Sequence, residues 1–305
     1  MMNSMNKFIQ KYGVIFLVVL VIFSAAYFRL YTTDLPITDK FAKDSVYSNY
    51  QNGFYNEIKS TYPNLPEGDA QRFAANQFSD YLLNNEELIN QQISQVSQQY
   101  KSQFQDNSGQ TYLIAIDPYL WYKTANNYIE NGHWGNEVKD GVPYETLRGR
   151  SSREGRQAWF TLMPLLIVIN YNIMNLYTET SVMTAAFFVP MILIVLASLC
   201  AFFVGKRLYG NFGGLIAGVV VGIHSALLIR TVAGFSDTDG IITLFELATI
   251  ALFIYGFTEK VEWKKWMYFI LSGFAMAVYG IGHPSWWHIY DTILGCLGIF
   301  LLYQI

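Results

Sequence analysis

The sequence predicts an all-α, multi-pass membrane protein with one large water-exposed insertion, and three observations carry that expectation. Half of the 305 residues are apolar (52%) and only 14% are charged. The apolar residues are also unevenly spread. Residues 32–155 are polar and rich in Asn, Gln, Asp, Glu and Tyr, whereas residues 181–305 are apolar between short polar breaks. Finally, the loops between the apolar runs alternate in basic content, as membrane loops do. A formal net charge of −3 excludes a basic nucleic-acid-binding chain. Cys200 and Cys296 both lie in apolar runs and read as small buried hydrophobes.

Residues 1–31 read as a membrane anchor. Lys7 and Lys11 precede an apolar run from Val14 to Tyr31, about the roughly 20 residues that cross a bilayer core. A cleaved signal peptide is the alternative, because Ser24-Ala-Ala26 is small. The run continues through Tyr27, Phe28 and Leu30, which favours an uncleaved anchor. Both readings put residue 32 onward outside the cytoplasm. Residues 32–110 read as a helical insertion without a catalytic constellation, an accessory cap or docking surface. Pro66-Glu67 starts a helix, and Phe73, Phe78, Tyr81, Leu82, Leu88, Ile89, Ile93 and Val96 recur at three- and four-residue spacing.

Residues 111–180 form the rest of the outer loop. In Ile116-Asp117-Pro118-Tyr119, Asp before Pro reads as a helix start, with Asp117 as a plain N-cap. Trp159–Tyr177 is long enough to cross, but Pro164 interrupts it and Asn170, Asn172 and Asn175 weaken it. Clear spans follow in residues 181–305, at about Val182–Val204, Phe212–Ile229, Ile241–Phe257, Trp266–Ile281 and His288–Ile305. Lys206-Arg207 and Lys260, Lys264 and Lys265 fall in two of their loops, and the loops at Glu179, Asp237 and His283 are not basic. The positive-inside rule is met only if Trp159–Tyr177 does not cross, so it is expected as an amphipathic helix on the outer surface.

That topology places Asp117, Asp237 and Asp239 on one outer face. Three carboxylates there suit a hard divalent cation, Mg²⁺ or Mn²⁺ rather than Zn²⁺. The competing reading is that Ser236, Asp237 or Asp239 caps the helix beginning near Gly240. Arg230 reads either as a snorkelling helix-end residue or as an electrostatic partner of the acidic pair or an anionic headgroup. Trp286 and Trp287 suit an aromatic belt. His283 and His288 lack a third ligand for zinc. Glu246, a carboxylate at membrane depth, is either functional or a bundle hydrogen-bond partner.

Ile-Asp117-Pro-Tyr and Arg230-Thr-Val-Ala-Gly-Phe-Ser-Asp237-Thr-Asp239, following one anchor, an outer helix and two spans, resemble the catalytic subunit of oligosaccharyltransferase, of the single-subunit archaeal and bacterial type. The resemblance covers the anchor and residues 111–305. It implies a C-type glycosyltransferase membrane fold at the cell membrane, with its active site on the extracytoplasmic face. The implied partners are a lipid-linked oligosaccharide, an acceptor protein with an Asn-x-Ser/Thr sequon and membrane lipid. Asp117, Asp237 and Asp239 match the family's catalytic, metal-holding positions. Arg230 matches an Arg beside the second motif, and Trp286-Trp287 stand where the family has an aromatic segment near the lipid-linked substrate. The family's later catalytic Glu and its Trp-Trp-Asp-Tyr-Gly domain are absent, so an N-terminal portion that transfers no sugar alone is expected. An ion-coupled transporter using Asp237, Asp239 and Glu246, or a noncatalytic membrane subunit, are the alternatives. The acidic pair's place in a surface loop rather than a broken mid-membrane helix favours the enzyme.

Overall fold

The computed structural model describes residues 2–146, 156–158 and 160–304. It is 78% helical, an all-α multi-pass membrane fold. The chain divides into two compact units, Met1–Tyr31 with Leu113–Ile305, and Thr32–Tyr112.

The larger unit is built on helix α1 (Met2–Tyr27) and α8 (Val182–Ile223). At 42 residues, α8 is too long for one crossing, and it is in fact two helices. Tyr209 and Gly210 leave helical geometry, Gly210 at φ +72°, a left-handed value that glycine tolerates. The chain then doubles back. Gly205 faces Gly213, Gly214 faces the Phe202 carbonyl, and Gly218 faces the Ser198 carbonyl, a pairing that makes the arms antiparallel. The second arm offers Gly214, Gly218 and Gly222 at four-residue spacing. A Cβ on Gly218 would lie 2.9 Å from Val21, and one on Gly222 3.2 Å from Ala25, so α1 packs into that glycine face.

The expected span at Phe212–Ile229 stops earlier, at Ile223. His224 turns to φ −58°, ψ 123°, and a short helix α9 (Ser225–Thr231) follows. Next come α10 (Asp239–Thr258), α11 (Glu262–Gly282), a 3-10 turn (Pro284–Trp286) and α12 (Trp287–Gln304). Here α10 and α11 run antiparallel. Gly256 meets Phe269, Ser272 Oγ donates to Thr249 O at 2.9 Å, and Tyr279 meets Glu246. Among the described residues, four segments are long and apolar enough to cross a membrane: Gly13–Asp34, Val182–Ile223, Asp239–Thr258 and Pro284–Gln304. Although α11 was expected to span from Trp266 to Ile281 and is long enough, it is less apolar than these four.

The ends of α10 differ in character. At its C-terminal end Arg207 donates to Thr258 O at 2.8 Å and lies 3.8 Å from Glu259, so the two basic loops meet there. The acidic loop stands at the other end, about 30 Å away at 1.5 Å rise per residue.

Helix α6 (Ile116–Asn131) begins a residue before Asp117, and its cap position, Ala115, makes no side-chain bond. The plain N-cap expected of Asp117 is therefore not formed; Asp117 and Pro118 stand within the first turn. Helix α7 (Leu162–Asn175) has 14 residues, too few to cross, and Pro164 sits in its first turn, where it is tolerated. The Trp159 start expected for this helix lies outside the described residues. Leu162, Met163 and Ile167 of α7 pack with Phe187, Leu193 and Ile241 in a buried core. A small antiparallel sheet, β1 (Glu137–Lys139), β2 (Val142–Glu145) and β3 (Arg156–Gln157), was not foreseen. Its first turn is Asp140-Gly141, both at positive φ, the usual two-residue hairpin pattern.

The smaller unit contains α2 (Tyr31–Asp34, from its second residue), α3 (Ile37–Thr61), α4 (Glu67–Asn84) and α5 (Glu86–Ser102). Pro66 caps α4 from just outside rather than occupying its first helical position. Val46, Phe78 and Ile89 form one core with Tyr47, Tyr50 and Tyr81 against it, and Ile58, Ala70 and Ala74 form another.

Candidate functional site

The segment Ala233–Ser236, immediately before the acidic pair, is pinned by backbone bonds from three other parts of its unit. Ala233 N–H donates to Arg29 O at 3.0 Å, just past α1. Gly234 N–H donates to Phe187 O at 2.7 Å on α8, and Gly234 O accepts from Ile114 N–H at 3.0 Å, just before α6. Ser236 is fully buried and its hydroxyl donates to Ala186 O. Gly234 is required twice over. Its φ is +91°, and a Cβ there would lie 2.7 Å from the Phe187 ring.

Asp237 follows, half-buried. Its Oδ1 accepts from Thr238 N–H at 2.7 Å and from Trp121 Nε1–H at 3.3 Å. Asp239 is the first residue of α10, whose cap position, Thr238, makes no side-chain bond. Ser236 is committed to Ala186, so the pair is not explained by helix capping alone. Carboxylates at a helix N-terminus meet the positive end of the helix dipole. Asp237, Arg230 and His283 all lie within electrostatic reach of Asp239. The Arg230 guanidinium also stands 5.7 Å from the Phe235 ring centre.

Asp117 is exposed in the first turn of α6. Trp121 is four residues further on, so the two share a helix face, and Trp121 touches Asp237. The structure thus brings the Asp117 face of α6 to the acidic loop. Among the described residues, no three His, Cys, Asp or Glu side chains converge closely enough to hold a metal ion, so Asp117 is not gathered with the pair into a cage. Carboxylate oxygens are the donors a hard cation takes; Asp237 and Asp239 lie within electrostatic reach of each other, and Asp117 is an exposed carboxylate one turn from the Trp121 contact.

His283, which the sequence offers only as half of an incomplete zinc pair, belongs to a polar chain. Its Nδ1 accepts from Ser285 N–H at 3.2 Å and lies 2.7 Å from Ser285 Oγ. That oxygen is 2.7 Å from the hydroxyl of fully buried Tyr279, which reaches Glu246 Oε1 at 3.0 Å. Glu246 therefore has the bundle hydrogen bond that was one of its two readings. Trp286 and Trp287 continue the same segment, 40% and 49% exposed, with Trp287 stacked on His288 and Trp286 tilted against Tyr290. They are joined to the acidic end through the His283 segment. Trp121, Tyr279, Ser285 and Arg29 escaped the sequence reading.

The sequence model described as oligosaccharyl transferase STT3, N-terminal, matches residues 87–305, well over half of the chain. The chain belongs to the STT3 oligosaccharyl transferase family. Two curated relatives carry the name dolichyl-phosphooligosaccharide-protein glycotransferase. The protein from Methanococcus voltae is 31% identical over 217 residues, 68% of this chain and 23% of the relative. That from Methanocaldococcus jannaschii is 30% identical over 168 residues, 53% of this chain and 18% of the relative. The chain thus spans less than a quarter of the length of these relatives. No solved structure matches it. The family match starts inside α5, so α3 and α4 lie outside it.

Proposed function

We propose that this chain carries the acidic site of an oligosaccharyltransferase. The reaction moves an oligosaccharide from a lipid phosphate or pyrophosphate carrier to the side-chain nitrogen of Asn in an Asn-x-Ser/Thr sequon. The observation that carries this reading is the pinned loop presenting Asp237 and Asp239 at the start of α10, with Trp121 tying the Asp117 face of α6 to it. Family membership and the relatives' names support it.

An amide nitrogen is a weak nucleophile because its lone pair is delocalised into the carbonyl. Asp117, joined by one carboxylate of the pair, accepts hydrogen bonds from the amide N–H groups and turns the C–N bond out of conjugation. The freed lone pair forms the bond to the anomeric carbon as the bond from that carbon to the phosphate oxygen breaks. The phosphate leaves with the electron pair, and the nitrogen gives up one proton to a carboxylate. Attack opposite the leaving group inverts the anomeric centre. Arg230 and the N-terminus of α10 put positive potential where the phosphate gathers charge. Mg²⁺ or Mn²⁺ on Asp117, Asp237 and Asp239, when bound, supplies Lewis-acid stabilisation of the leaving phosphate. Trp286 and Trp287 offer aromatic surface to the lipid-linked donor.

The basic end of α10, with Arg207, Lys264 and Lys265, faces the cytoplasm under the positive-inside rule, which turns the acidic end to the extracytoplasmic side of the cell membrane. The test is Asp237→Asn in an active preparation containing this chain. Transfer to a sequon peptide should fall at least about 100-fold, the scale of removing one electrostatic contact to developing charge, with membrane insertion unchanged. Undiminished transfer would refute the assignment.

A further inference from the structure

Arg29 heads the largest side chains with no solvent exposure among the described residues. It lies just beyond α1, at the end of a membrane span, where a buried cation costs several kcal/mol unless its donors are met. Its guanidinium bonds to three helices. Nη1 donates to Ala25 O at 2.8 Å and to Gly222 O at 2.5 Å, and Nε donates to Thr231 Oγ1 at 2.9 Å. Ala25 and Gly222 stand in the last turns of α1 and α8, whose carbonyls carry the negative ends of the helix dipoles. Two helix ends thus offset charge, and the bond to Thr231 goes elsewhere.

The Thr231 contact is at the root of the acidic loop. Thr231 is fully buried and its hydroxyl has two roles, accepting from Arg29 and donating to Leu227 O at 2.5 Å. Two residues on, Ala233 N–H donates to the Arg29 carbonyl. One residue therefore grips the loop by side chain and backbone, six residues before Asp237.

We propose that Arg29 is a positioning residue, a clamp that acts through Thr231 and Ala233 to set the loop bearing Asp237 and Asp239. For what the loop binds, this rests on the function proposed above. The clamp itself is a statement about geometry and can be read without activity.

Thr231→Val keeps the shape and removes the hydroxyl, Thr231→Ser keeps the hydroxyl, and Arg29→Gln removes the fork. The full 305-residue chain is labelled with fluorotryptophan, and the Trp121 resonance, identified by its loss in Trp121→Phe, reports on Asp237. Mn²⁺ affinity is read by electron paramagnetic resonance. We expect Thr231→Val and Arg29→Gln to move the Trp121 resonance and to weaken Mn²⁺ by about 10–100-fold, the usual effect of losing a supporting contact behind metal ligands. Thr231→Ser should restore both readouts. An unmoved Trp121 resonance in Thr231→Val and Arg29→Gln overturns the clamp. A moved resonance in a chain that binds no Mn²⁺ upholds the clamp and overturns the cation site.

Discussion

At the scale of single residues, the site depends on groups whose backbone roles cannot be exchanged. Gly234 is the sharpest case, because its N–H, its carbonyl and its left-handed φ are all in use. Gly234→Ala should cost about 1–3 kcal/mol, the strain of a side chain in a sparsely allowed conformation, and more if the Phe187 ring cannot move aside. Thermal unfolding in detergent would show it as a lowered midpoint, and an unchanged midpoint would mean the loop relaxes freely. The acidic residues were legible in the sequence because charge is rare in the apolar half and conspicuous between two spans. Trp121 and Tyr279 were not. In a chain with 17% aromatic residues, an indole or phenol reads as core or interface until a bond to Asp237 or Glu246 sets it apart. Arg29 was hidden for a related reason. An Arg at the end of an apolar run reads as a flank, and only its contacts across about 200 residues of chain (|i−j| of 193 and 202) reveal a clamp.

At the scale of elements, the glycine face of α8 sets how closely α1 can approach. Gly218→Leu would press a branched side chain onto Val21, whose methyls would already lie 2.9 Å from a Cβ. Overpacking of this kind costs about 1–3 kcal/mol. We expect a lower unfolding midpoint and greater protease sensitivity near residue 29, because α1 carries the Arg29 grip. Gly273→Leu is the control, as a Cβ there meets nothing within 4 Å; equal loss in both variants would show that apolar bulk alone is harmful. Apolar runs gave away the membrane helices, since length and hydropathy are local properties. Their ends did not follow. Phe212 to Ile229 is apolar apart from His224 and Ser225, and the helix stops at Ile223, where His224 leaves helical geometry and Arg29 takes the Gly222 carbonyl. The β1–β2 hairpin had a local signal in Asp140-Gly141, but the strands are only three and four residues long and lack the alternation that marks a half-buried strand.

At the scale of the whole molecule, the chain divides into two units, and Asp117, Asp237 and Asp239 all belong to the larger one. Thr32–Tyr112 has its own apolar clusters, and α3 packs on both α4 and α5. Its aromatic side chains are shared between helices: Phe78 meets Tyr47 edge-on at 5.1 Å, and Tyr50 and Tyr81 lie 5.2 Å apart. Such contacts add about 0.5–1.5 kcal/mol each beyond burial. Thr38 and Ser97, both buried, bond each other at 3.0 Å and so leave no orphaned hydroxyl between α3 and α5. A unit that satisfies its own polar groups and carries its own core should fold when expressed as residues 32–112 alone. Its size limits it to roughly 3–5 kcal/mol, the range of a single small core. The expected result is a helical circular dichroism spectrum and a single cooperative urea transition, weakened by Phe78→Ala by about 3–5 kcal/mol or to the point of unfolding. A helical spectrum without a cooperative transition would mean that α3, α4 and α5 form but do not pack, and that this unit takes its order from the rest of the chain.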